Sequence, residues 1–137
     1  MKARDWSLAC SDVIARTGGD EFVVGLVETG RQESVRFGRR LIRTVAASSF
    51  EYFGKAETIT ISVGQAGYPE DPEVANAEQL LLFADQALYR AKANGRNDLA
   101  CWHELDAATR ARLAGSIKRV SAPTVSGGPT LCLMDEE

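Results

Sequence analysis

The stretch RTGGDEFVV, Arg16 to Val24, sets two glycines and two carboxylates at the mouth of an apolar run. Upstream, SDVIAR (Ser11 to Arg16) is rich in β-branched residues and reads as a short strand. Downstream, EFVVGLVE (Glu21 to Glu28) is nearly all apolar with little alternation, the pattern of a strand covered on both faces within a sheet. TGGD between them reads as a turn, with Gly18 and Gly19 expected to supply the positive φ of a tight hairpin. The reading is an antiparallel hairpin that carries Asp20 and Glu21 at its tip.

Beyond the hairpin, Thr29 and Gly30 break the strand, and a helix is expected over about Gln32 to Ala47. Val35, Leu41, Ile42 and Val45 fall on one of its faces, and four arginines lie elsewhere. ETITISVGQAGY, Glu57 to Tyr68, reads as a third strand with alternating β-branched residues. A second helix is expected over about Ala77 to Ala93, with Leu81, Ala84, Leu88 and Ala91 as its apolar stripe and Asn94-Gly95 as its stop. NDLACWH suggests a last short strand, and ELDAATRARLAGSIKRV an exposed helix. SAPTVSGGPTLCLMDEE has Pro, Gly and Ser without a useful period and reads as a loose tail. The division is a domain over residues 1–104, then a helix and flexible tail over 105–137. The fold class is α/β, an α+β sandwich with helices covering a mainly antiparallel sheet.

The composition is that of an ordinary globular chain: 137 residues, 45% hydrophobic, 26% charged and a net charge of −3. That charge gives no general attraction to nucleic acid or anionic membrane, so neither is expected as a partner. No apolar run is long enough to span a bilayer. Cys10, Cys101 and Cys132 lie far apart and form neither a metal-ligand spacing nor a disulfide framework. They read as reduced thiols of a cytoplasmic protein, and the single His103 as a surface or strand-end residue.

Three blocks taken together, SDVIARTGGDEFVV, TITISVGQA and ADQALYRAKANGRN, resemble the GGDEF domain of diguanylate cyclases in order and spacing. The resemblance covers about Ser11 to Asn97 and implies a bacterial signalling domain with a nucleotidyl-cyclase-like fold. It would condense two GTP molecules to cyclic di-GMP and two pyrophosphates across a homodimer or with a partner GGDEF domain. It implies a magnesium (or manganese) ion held by Asp20 and Glu21, the catalytic acids, with Asp20 also assisting deprotonation of the attacking hydroxyl. Gly18 and Gly19 would let the backbone approach the nucleotide, and Lys92 and Arg96 would bind its phosphates. Taken on their own, the hairpin tip reads first as a solubilising turn, and the two cations first as a solvated helix end complementing the macrodipole. Ser62 and Gly64 read as packing residues, and Asn97 as the residue closing the turn.

The sequence departs from the family before the hairpin. The family's first helix, its first strand with a metal-binding Asp, and its guanine-reading Asn and Asp have no counterpart ahead of Gly18. The central strand beside EFVVGLVE is therefore expected to be missing, leaving a bare apolar edge unless the tail around Thr130 to Met134 covers it. The inhibitory motif is reduced to Asp12, with Ala9 in place of its Arg, and Arg40 stands where a secondary basic contact can lie. ELDAATRARLAG resembles the helix that links GGDEF domains to a following phosphodiesterase domain, so a truncated piece of a larger fused protein is expected. Its activity alone would be weak or absent. The alternative is a degenerate module that binds nucleotide or dimerises without turnover.

Overall fold

The computed structural model describes residues 11–115 and 130–136. The N-terminal segment with Ala9, and residues 116–129 of the expected helix and tail, lie outside them. Strand β1 (Val13–Arg16) pairs antiparallel with β2 (Glu21–Leu26), Arg16 facing Phe22, so the expected hairpin is present. Helix α1 (Arg31–Ala47) follows, then a small hairpin of β3 (Phe50–Tyr52) and β4 (Lys55–Glu57). Next come β5 (Ile61–Gly67), α2 (Ala77–Ala93), β6 (Leu99–Cys101), a 3-10 turn over Trp102–Glu104, and α3 (Ala107–Gly115).

One expectation is overturned. Thr130–Glu136, read as part of a loose tail, is strand β7. It sits in the middle of a five-stranded sheet of order β1-β2-β7-β5-β6, antiparallel to β2 on one side and β5 on the other. The edge of β2 is therefore covered, and by the chain itself. A strand covered on both faces carries no alternation to distinguish it from an apolar scrap, which is why the sequence pattern hid it. Cys132 is fully buried, and Leu133 and Met134 nearly so. The Thr130 hydroxyl donates to the Thr29 carbonyl at 2.8 Å and pins the start of the strand.

The helices cover opposite faces of the sheet. Every residue of β5 is buried, rather than alternate ones, because both faces are packed. A Cβ added to Gly38 of α1 would meet Val63 and Leu99, whereas one added to Gly64 would meet the backbone of α2. Successive strand residues point to opposite faces, so Val63 and Gly64 separate the two cores. Val24, Ile42, Val63 and Cys132 belong to the α1 side, and Phe83, Ala84, Leu88, Trp102 and Leu133 to the α2 side. Of the expected stripe of α2, Ala84, Leu88 and Ala91 are buried, but Leu81 is 42% exposed, and Leu80, Phe83 and Ala87 complete the buried face.

Local chemistry fixes the helix ends. The Asn76 side chain accepts from the Gln79 amide at 2.8 Å, while the Gln79 side chain accepts from the Ala75 amide at 2.7 Å, satisfying donors at the start of α2. The first amide of α1 donates to Glu70 at 2.9 Å, and Arg31 also bonds Asp71 at 2.9 Å. The other Asp71 oxygen accepts from the Gly67 amide at 2.8 Å, so this buried carboxylate ties the end of β5 to the start of α1. On the α2 side, Trp102 stacks on Phe83 with centroids 4.0 Å apart. Glu73 accepts from both Trp102 and Arg110, which clamps α3 to the sheet.

Candidate functional site

The turn at the tip of the first hairpin is built by its own arginine. Arg16 Nε donates to the carbonyls of Gly18 and Gly19 at 3.2 and 3.0 Å, and its Nη2 donates to Gly19 at 2.7 Å. The Thr17 amide donates to the Glu21 carbonyl at 3.0 Å and closes the loop. Neither Gly18 nor Gly19 has a positive φ, contrary to the expectation from a tight hairpin. The connection is longer than a two-residue turn, and such loops are commonly built on backbone with negative φ. What distinguishes Gly19 is space: a Cβ there would meet nothing within 4 Å. The turn thus offers bare, open backbone beside two exposed acids, Asp20 and Glu21.

A pocket of about 210 Å³ lies between this turn and α2, lined by Thr17, Glu21, Leu81, Asp85, Leu88, Leu133 and Met134. Its walls come from three parts of the sequence, and β7 supplies two of its residues. Asp85 is the acid that the sequence reading missed. Its signal was available, since it shares a helix stripe with Leu81 and Leu88 at i, i+4 and i+7. Lys92 continues that stripe by one more turn, about 10 Å along the axis from Asp85. The geometry therefore sets Lys92 on the pocket's side of α2.

Arg96 stands just past the helix end. The Gly95 amide bonds Lys92 at 3.2 Å and the Arg96 amide bonds Ala91 at 3.2 Å, a Schellman closure with Gly95 at φ 112°. Arg96 and Asn97 continue in the left-handed region at φ 66° and 47°. For residues with a Cβ, that conformation costs roughly 1–2 kcal/mol each. Backbone strain of this kind concentrates at ligand clamps. Asn97 accordingly lies within the strained turn that it was expected to close.

Asp12 stands at the other end of the hairpin from the glycines. Its carboxylate accepts from the Val27 amide at 3.0 Å, so it staples β1 to the exit of β2. Arg40 is half-buried on α1. Gly64 plays the packing role expected of it, since a Cβ there would lie 2.2 Å from the Ala84 carbonyl oxygen.

Among the described residues, no three His, Cys, Asp or Glu side chains gather closely enough to hold a metal ion. The neighbouring Asp20 and Glu21 nevertheless match the one or two carboxylates that magnesium takes in nucleotide sites, where phosphate and water complete the shell. Burial pushes the two described thiols, Cys101 and Cys132, up to about 12. Among the described residues, no helix is long and apolar enough to cross a membrane.

A family model described as "Diguanylate cyclase, GGDEF domain" matches residues 4–98. Diguanylate cyclase A of Treponema denticola is 39% identical over 87 residues, 64% of this chain and 23% of its own length. Diguanylate cyclase DosC of Escherichia coli K12 is 34% identical over 93 residues, covering 67% and 20%. Diguanylate cyclase DgcP of Pseudomonas aeruginosa is 42% identical over 89 residues, covering 65% and 13%. The chain thus spans less than a quarter of the length of these curated relatives, and the family match ends before α3 and β7. A match over most of the sequence, which includes the hairpin and the helix that wall the pocket, means that the chain belongs to the GGDEF domain family.

Proposed function

We propose that this domain binds GTP with a divalent metal ion, preferably magnesium, and has the residues for diguanylate cyclase chemistry: two GTP condense to cyclic di-GMP and two pyrophosphates. The observation that carries the reading is the pairing of exposed Asp20 and Glu21 on open glycine backbone with a pocket on the Lys92 side of α2. Asp20 and Glu21 would hold the metal ion, which when bound neutralises phosphate charge. Gly18 and Gly19 leave room for the nucleotide. Lys92 as a point charge and Arg96 as a fork would bind phosphate oxygens. Asp20 would also accept the proton of the attacking 3′-hydroxyl. Because each product joins two nucleotides, two such domains must face each other, and a homodimer or a partner GGDEF domain is implied. The setting is a cytoplasmic signalling protein, with this domain as one part of a longer fused chain.

A second reading, a module that binds nucleotide without turnover, is favoured by one observation: among the described residues, only two of the acids needed for a metal cluster adjoin at the turn. Calorimetry with GTP and magnesium, followed by chromatography of the reaction mixture, separates the readings. Binding with slow formation of cyclic di-GMP, both weakened at least tenfold in Asp20→Ala, supports cyclase chemistry. Binding with no product supports the second reading, and no magnesium-dependent binding sinks both.

A further inference from the structure

We propose that β7 is exchangeable between copies: the β7 strand of one chain seats in the sheet of another, and the reciprocal exchange makes a dimer in which each copy completes the other's pocket. The argument begins with topology. Among the described residues, β2 and β5 share no ladder, and the sheet connects the β1–β2 hairpin to the β5–β6 pair through β7. Residues 11–115 by themselves therefore present two inner edges with one strand-wide gap between them. Val24, Leu26, Ile61 and Val63, all buried, lie on the strands that bound it. Edges of this kind are templates for any strand of suitable pattern.

β7 satisfies both edges through six register pairs with β2 and seven with β5. Those ladders depend on main chain and on apolar side chains buried on both faces, and neither records which chain the strand came from. Residues 116–129 separate the end of α3 from the start of β7, and a segment of that length reaches up to about 45–50 Å when extended. Exchange between copies thus preserves both ladders of β7, which makes it a low-cost route to a dimer that mass action favours as concentration rises. The occupant is a second copy of this chain, because its β7 is the one strand whose fit to the gap is seen. Leu133 and Met134 line the pocket beside Glu21 and Asp85, so the exchanged strand carries part of the site from one copy to the other. The proposal stands whether or not the pocket binds GTP.

The test uses two tagged full-length chains, both with Cys10→Ser and Cys101→Ala. One adds Val24→Cys and Cys132→Ala, and the other keeps Val24 and Cys132. Val24 and Cys132 are register partners, and the roughly 4.5–5.5 Å between opposed Cα atoms lies within disulfide range. After joint unfolding, refolding and mild oxidation, a disulfide joining the two tags is expected, since neither chain alone holds both thiols. Tags that stay unlinked, while a control chain carrying both Val24→Cys and Cys132 closes its own disulfide, overturn the proposal. Should the variants fail to fold, light scattering on the unaltered chain decides. A dimer is expected whose Cys132 is as unreactive as in the monomer and becomes reactive only as the dimer dissociates. A monomer at every concentration, or a dimer that separates on dilution without exposing Cys132, overturns it.

Discussion

Gly38 of α1 and Gly64 of β5 each sit at a close helix–sheet approach, one on each face of the sheet, yet they should respond differently to one methyl group. At Gly64 the added Cβ would lie 2.2 Å from both the Ala84 carbonyl oxygen and the Leu88 amide nitrogen, so α2 itself must move. At Gly38 the nearest atom is the end of the Leu99 side chain, which can rotate away. Gly64→Ala is therefore expected to lower stability by about 3 kcal/mol or more, and Gly38→Ala by about 1 kcal/mol, as read from urea unfolding midpoints. Asp71 is the other residue with a large expected effect. Its carboxylate is 1% exposed and bonds both Arg31 and the Gly67 amide. Asp71→Ala should cost about 2–3 kcal/mol because two partners lose a charged acceptor, and hydrogen exchange at Gly67 should speed up. The acids of the hairpin tip and the cations at the end of α2 were legible in sequence because each sits on a turn signal. Asp85 shares a readable stripe with Leu81 and Leu88, but the pocket it lines with Thr17 exists only once three distant segments meet.

The helices and β7 sit at opposite ends of legibility. Helix α2 was readable to its ends, because its periodicity is flanked by Asn76 as N-cap and Gly95 as stop. The β3–β4 hairpin went unread, being two three-residue strands whose residues are all exposed and carry no burial pattern. β7 is offered by the sequence only as an alternative cover for the edge of β2, because its apolar core, Leu131 to Met134, is short and follows Pro and Gly, so its neighbours are what reveal it as a strand. Those neighbours also set its chemistry. Burial raises the Cys132 thiol from 9.0 to about 12, with Cys101 nearby adding to the rise. A group whose folded pKa lies above its unfolded value contributes stability that is fully present below the unfolded pKa and fades as pH climbs toward the folded one. Thermal melting should thus weaken from about pH 9 upward. Cys132→Ala should flatten that slope relative to the parent chain, and an unchanged slope would count against the strand's burial.

For the molecule as a whole, β7 decides whether there is one cooperative unit or two. A chain lacking Thr130–Glu136 leaves the inner edges of β2 and β5 open, with Val24 and Val63 uncovered. It should melt without a single sharp transition and associate into large species in light scattering. A peptide spanning residues 128–137, added in excess, should restore a cooperative melt, and no recovery at any peptide concentration would show that the gap does not take a free strand. Similarity to GGDEF relatives carried the general architecture through residue 98, but that similarity has nothing to say about which segment fills the centre of this sheet.

The Thr130–Thr29 bond joins residues 101 positions apart, and the Glu21–Asp135 pair is wider still. The middle of the sheet is consequently translated after both of its flanks. At roughly 5–20 residues per second, a nascent chain waits on the order of ten seconds between making Glu21 and making Asp135. During that interval the hairpin and the β5–β6 pair have no strand to join them, and the apolar edges are available to chaperones or to neighbouring nascent chains. Such long-range pairing also slows spontaneous folding. Expression yield should therefore depend on how closely ribosomes follow one another along the message, because adjacent chains then meet while their sheets are still unfinished.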